Sequence, residues 1–264
     1  MKYTFSQSFN VHGKLLRMTL MVLLVSSFLT VGIVKKSFAT NSMQKSQDAA
    51  VTITGAMMNV MHKGELAGTI ALDTIADKKH LYGLGPVEYM QGEILIMDGK
   101  SYVSTVVSES AMKVEETFQV KAPFFVHANV EQWQEYKLPE TITTLEGIEK
   151  HIEGLTQNYK SPFAFKLTAT AATAKIHVVN LPKGKQVSSP NDTHEGQVDF
   201  KLANEKVDVI GFFSKQHRGV FTHHDSYLHA HLINDRRDKM GHLDEIELAQ
   251  GTAKLYLPVG IVSR

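Results

Sequence analysis

Tyr227-Leu228-His229-Ala230-His231-Leu232, then the turn Asn234-Asp235-Arg236-Arg237-Asp238-Lys239, then Gly241-His242, is the stretch on which the reading of this chain turns. Successive side chains on a strand point to opposite faces, so His-x-His on a strand aims both imidazoles the same way. The polar turn lets a second strand return and carry His242 alongside. Three neutral imidazoles from two neighbouring strands suit zinc or another divalent ion, with a fourth position open to water or substrate. The competing reading is that these are packed or hydrogen-bonded residues of an ordinary strand. A cupin is a weaker rival. It wants a glutamate a few residues after the second histidine, where this chain offers only Asp235 in the turn.

Composition narrows the classes. The 264 residues carry 28 Lys+Arg against 27 Asp+Glu, with no basic stripe, which argues against a nucleic-acid partner. Cysteine is absent, which excludes disulfides, thiolate metal sites and a cysteine nucleophile. Any metal is left to His, Asp or Glu. Six of the thirteen histidines fall between His217 and His242.

Residues 1–39 read as a leader: a modestly basic start, an apolar run at 18–34, then Lys35-Lys36-Ser37-Phe38-Ala39 with small residues for cleavage. The run is also close to membrane-spanning length, so an uncleaved N-terminal anchor is the alternative. Either way the folded part is expected to be exported, periplasmic or secreted. Residues 40–50 read as a linker, 51–160 as an N-terminal sheet half and 161–264 as a C-terminal metal-binding sheet half. Gly92 to Val103 reads as a hairpin turning at Asp98-Gly99. Leu145, Ile148, Ile152 and Leu155 stand at helical spacing. Residues 118–129, 163–179, 207–213, 227–234, 242–248 and 254–257 read as strands, and 181–196 as loop. The expected class is α+β, strand-dominated, with two packed sheet-containing halves and few helices.

Several of these segments, taken in order, resemble the acetolactate decarboxylases. That family's zinc segment runs roughly Gly-Tyr-His-Leu-His-Phe, an Asp-Arg pair, then Gly-Gly-His. Here stand Ser226-Tyr227-Leu228-His229-Ala230-His231-Leu232, Asp235-Arg236 and Met240-Gly241-His242. Gly83-Leu84-Gly85 followed by the 92–99 hairpin, Ala122-Pro123-Phe124, and Val209-Ile210-Gly211-Phe212-Phe213-Ser214 are similar to further family elements. The resemblance spans most of residues 52–258.

The resemblance implies His229, His231 and His242 as zinc ligands and Glu93 as an active-site carboxylate reaching in from the first half. It also implies loss of CO2 from 2-acetolactate, or a related 2-hydroxy-3-oxo acid, to give acetoin. The metal would stabilise the oxygen where charge develops, and Glu93 would relay the proton. No organic cofactor is needed, because the keto group is the electron sink. The partner is then a small molecule, with a homodimer as a candidate assembly and membrane contact only through an uncleaved anchor.

The chain departs from the family pattern in two places. It has no arginine between Arg17 and Arg218, where the family has an active-site arginine. Lys175-Ile176-His177 occupies about that place, and Lys175 or His177 could hold a substrate carboxylate; Arg218 is another candidate substitute. The family's tail glutamate also has no evident counterpart in the 22 residues after His242. His217 and His223-His224-Asp225 read as solvated loop. Glu245 and Glu247 share a face that the sequence does not place. Two rivals follow: a non-catalytic relative that keeps the metal and binds a small oxo-acid, and an exported metal scavenger using the His-rich loop.

Overall fold

The computed structural model describes residues 49–262; the leader and most of the linker lie outside the described residues. Among the described residues, no helix is long and apolar enough to cross a membrane. The elements run β1 (Thr52–Thr54), α1 (Met57–Lys63), β2 (Ile70–Ala71), β3 (Leu81–Pro86), β4 (Glu93–Met97), β5 (Lys100–Ser108), β6 (Ala111–Glu116), β7 (Lys121–Ala122) and β8 (Phe125–Asn129). They continue as β9 (Trp133–Lys137), α2 (Leu145–Leu155), β10 (Phe163–Val178), α3 (Pro190–Thr193), β11 (Val198–Phe213), β12 (Leu228–Asn234), β13 (Met240–Leu248) and β14 (Lys254–Pro258). The chain is strand-dominated α+β, with two six-stranded sheets.

The first sheet has the order β1-β8-β3-β4-β5-β6. Its centre is the expected hairpin of β4 and β5. Asp98 and Gly99 both take positive φ, 48° and 78°, as a two-residue turn matched to strand twist requires. A side chain on Gly99 would also run into the Lys78 carbonyl oxygen, 2.3 Å from the position of its first carbon.

The second sheet positions the histidines. β10 and β11, sixteen residues each, pair antiparallel from Phe163↔Phe213 to Val178↔Val198. β12 lies on the other edge of β11, β13 pairs with β12 through Met240 to His242, and β13 then pairs with β10. β10, β11, β12 and β13 therefore close into a ring, and β14 and β9 extend from the first part of β10. Phe163, Phe165, Phe213, Leu232 and Leu255 fill the second sheet's core, with Ala169, Ala171 and Ala174 supplying small side chains. Each large apolar side chain contributes about 1.5–3 kcal/mol by leaving water. α2 covers this core with Ile148 and Ile152, two of the residues whose spacing predicts it. Thr144 caps the helix by accepting a hydrogen bond from the Gly147 amide at 3.2 Å.

The two sheets pack on one another. Leu84, Leu95 and Val126 of the first share a buried cluster with Ile210, Phe212, Ile233 and Met240 of the second. This contact sets β4, and hence Glu93, against the strands that carry the histidines.

Some elements differ from expectation. The segment 181–196, expected as loop, contains the short helix α3, and α1 lies within the expected N-terminal sheet half, where no helix is read before Leu145. The region 163–179 is one strand, and the strand expected at 207–213 begins at Val198. All strands of the first sheet lie before residue 130, whereas β9 at 133–137 already belongs to the second.

Candidate metal centre and active site

The register of the second sheet aligns three histidines. His177 on β10 faces His242 on β13, and His242 faces His231 on β12. Directly opposed residues project from the same face, so one row of imidazoles crosses three strands. His229, two residues before His231, adds a fourth ring on that face. The close approach of β13 to β10 depends on Gly241, where a side-chain carbon would sit 2.4 Å from the His177 carbonyl oxygen.

The rings form one cluster. His229 lies 5.1 Å from His231 and 4.9 Å from His242 between ring centroids, and His231 lies 5.5 Å from His242. His229 Nε2 is 3.1 Å from His242 Nδ1. Two ligands of one tetrahedral zinc ion, each at about 2.05 Å, would stand about 3.3 Å apart. Glu93 enters from β4, and its Oε2 is 3.6 Å from His231 Nε2. The three histidines expected as ligands and the expected carboxylate thus stand in one buried cluster, although His231 is not among the ligand atoms that lie within 4.8 Å of one another.

Burial sets the charge state of these groups. It lowers the pKa of His231 to about 3 and holds His229 and His242 well below the usual imidazole range. The Ile94 and Phe221 backbones partly offset this for His231 and His229. Neutral imidazole is the form that binds metal. Burial also raises the Glu93 carboxyl well above its ordinary value, favouring its protonated form.

Two features support a cation here. His229 Nδ1, both nitrogens of His231 and His223 Nε2 are buried without a hydrogen-bond partner. A buried unsatisfied polar atom costs about 1–3 kcal/mol, and native proteins have few of them. A divalent ion, taking one nitrogen from each ring, would satisfy one nitrogen of His231 and His223 Nε2. The donor set, all nitrogen apart from nearby carboxylates, also suits zinc and similar ions.

The structure adds residues that the sequence reading places elsewhere. His223 is not a solvated loop residue. Its ring lies 5.0 Å from His242 and 5.8 Å from His229. Nitrogens of His223, His229 and His242 all lie within 4.8 Å of one another, as do ligand atoms of His177, His242 and Asp244. His217 is half-buried, bonded to Ser214 Oγ at 2.7 Å and stacked on Phe221. His224 and Asp225 are exposed, as expected. Position along the loop offers no sequence signal that separates His223 from His224. The buried Phe221 two residues earlier is the nearest one.

His177 and Lys175 separate. His177 is buried beside His242, with 4.6 Å between ring centroids, and its Nδ1 is 2.7 Å from Asp244 Oδ1. Lys175 Nζ instead pairs with Asp199 at 3.0 Å, partly exposed at the rim. The pairings Lys175↔Glu245 and Ile176↔Leu243 leave Asp244 as an extra residue in β13. This bulge turns Asp244 towards His177 and explains Glu245 and Glu247, which face solvent while Leu243, Ile246 and Leu248 stay in the core. Arg218 is exposed and lies over the Tyr227 ring at 4.5 Å.

Residues 54–257 match the family model described as Alpha-acetolactate decarboxylase. The chain is 22% identical over 199 residues to an alpha-acetolactate decarboxylase of Lactococcus lactis subsp. cremoris, covering 75% of this chain and 80% of that protein. Its fold is similar to acetolactate decarboxylase from Bacillus subtilis subspecies spizizenii, with a TM-score of 0.64 at 18% identity, covering 79% and 85% of the two chains. It is similar to the same degree, TM-score 0.64 and 18% identity, to a Staphylococcus aureus protein of unknown function described as similar to alpha-acetolactate decarboxylase, with 79% and 84% covered. On the match across most of its length, the chain belongs to the alpha-acetolactate decarboxylase family.

Proposed function

We propose that this protein is a metal-dependent carboxy-lyase that converts 2-acetolactate, or a related 2-hydroxy-3-oxo acid, to acetoin and CO2. The observation that carries this reading is a buried carboxyl, Glu93, 3.6 Å from His231 in a cluster of neutral imidazoles. His229, His231 and His242 would hold the ion. A divalent ion bound there supplies Lewis-acid stabilisation of the substrate oxygen on which negative charge collects.

The residues do the rest. Breaking the bond to the carboxylate releases CO2 and leaves its electron pair on the former carboxyl-bearing carbon, conjugated with the ketone. Glu93, whose carboxyl burial shifts towards the protonated form, is the acid able to deliver the proton to that electron pair. The sheet-to-sheet contact excludes water from its side of the pocket. His177, held by Asp244 beside the cluster, is better situated than Lys175 to meet a substrate carboxylate, because Lys175 is already paired with Asp199. Export of the folded part remains part of the proposal and is supported by the apolar run at residues 18–34.

The missing arginine favours a second reading, a relative that binds metal and a small oxo-acid without turning it over. Incubating the zinc-loaded protein with racemic acetolactate and assaying acetoin separates the two. Acetoin above the spontaneous rate supports the lyase. Bound metal with no such excess supports the second reading.

A further inference from the structure

Three strand histidines would leave a tetrahedral ion one position to fill, and the nitrogens of His223, His229 and His242 lie within 4.8 Å of one another. The loop bearing His223 is fixed on both sides. Before it, the amides of Val220, Phe221 and Thr222 all donate to the His217 carbonyl, and Phe221 is buried against Phe212. The Met57 and Met58 amides at the start of α1 donate to the Val220 and Gly219 carbonyls. After it, Glu149 of α2 accepts hydrogen bonds from Ser226 Oγ at 2.6 Å and from the Tyr227 amide at 3.0 Å. Between these anchors His223 turns inward, and its Nε2 is buried with no hydrogen-bond partner. His224, the next residue, faces solvent.

From this geometry we infer that His223 is a further metal ligand beside His229 and His242, held until a substrate oxygen displaces it. The inference rests on the metal-site reading above. It makes the resting centre an all-imidazole site, closed like a structural one, and makes the 217–227 loop the element through which substrate gains access to the ion. His223 is the natural ligand to leave, because it alone of the four comes from a loop rather than from the ring of strands.

The test uses the full chain, with Zn2+ affinity measured against a competing chelator and the visible spectrum of the Co2+-substituted protein. His223→Ala is expected to weaken Zn2+ binding by about tenfold or more, the scale at which even supporting residues of metal sites act, and to change the Co2+ spectrum. It should also bind 2-hydroxy-2-methylpropanoate, a hydroxy acid without the keto group, more tightly than the unaltered protein does. His224→Ala should leave all three unchanged. His223→Asn, with circular dichroism to verify folding, repeats the test with a polar side chain of smaller reach. Wild-type affinity and spectrum in both His223 variants would overturn the ligand assignment, and unchanged or weaker acid binding would overturn the displacement. His229→Ala and His242→Ala report separately on the underlying site: if they too bind Zn2+ normally, the metal-site reading itself fails.

Discussion

Glu93 and His231 come from different sheets, yet Glu93 Oε2 stands 3.6 Å from His231 Nε2 with both side chains buried. The sheet contact built by Leu95, Ile233 and Met240 is what brings them together. Replacing Glu93 by Gln keeps the shape and removes the transferable proton. Metal content should stay at the wild-type level while acetoin formation falls by about 10²–10⁴-fold, the usual worth of a positioned acid or base. Unaltered turnover would remove Glu93 from the reaction.

His231→Ala should abolish metal retention through gel filtration, whereas His224→Ala should retain a full equivalent. His231 is fully buried at the end of the ring row nearest Glu93, and His224 is exposed. Elemental analysis of the two purified variants decides this. Equal loss in both would mean that the ligands have been misassigned.

The metal-free protein should be acid-labile. The folded state keeps His223, His229, His231 and His242 neutral below the ordinary imidazole value, to about pH 3 for His231. The unfolded chain takes up these protons near pH 6.5, so it binds more of them as pH falls and stability drops. Each imidazole adds a slope of about 1.4 kcal/mol per pH unit in that window. Glu93 acts the other way: its raised value gives stability at low pH that fades as pH rises, but it is one group against four. The urea midpoint of the apoprotein should therefore be lower at pH 5.5 than at pH 7.5, and equal midpoints would contradict the neutral cluster.

Glu149→Gln should loosen the loop that precedes β12. The carboxylate holds both Ser226 Oγ and the Tyr227 amide, and charge-assisted bonds of this kind are worth about 1.5–3 kcal/mol, less here because Glu149 is only partly buried. Amide hydrogen exchange should accelerate across residues 214–227 and stay unchanged in β10. Uniform acceleration would indicate global destabilisation instead.

Much of this arrangement is legible in the sequence where local rules coincide with the fold. Asp98-Gly99 demands a tight turn, the spacing of Leu145, Ile148, Ile152 and Leu155 makes a helix with one apolar face, and His-x-His followed by His242 survives as a row because both strands are regular there. Reading fails where alternation changes parity. Asn204 takes a positive φ of 52° and shifts the apolar positions from 198, 200 and 202 to 207 and 209, which hides the first half of β11. The extra residue Asp244 does the same in β13, so that Leu243 is followed in the core by Ile246. His223 is invisible for another reason. Its aim is set by Phe221, Glu149 and the start of α1, all of them tertiary contacts with no period along the chain.

The closure of β10 through β13 bears on how an ion comes and goes. The strands carrying His177, His231 and His242 have neighbours on both sides, so none can peel away at a frayed margin to free its imidazole. The cradle is consequently rigid before any cation arrives, and discrimination among metals falls to the fit of ionic radius and preferred coordination to a shape already cast.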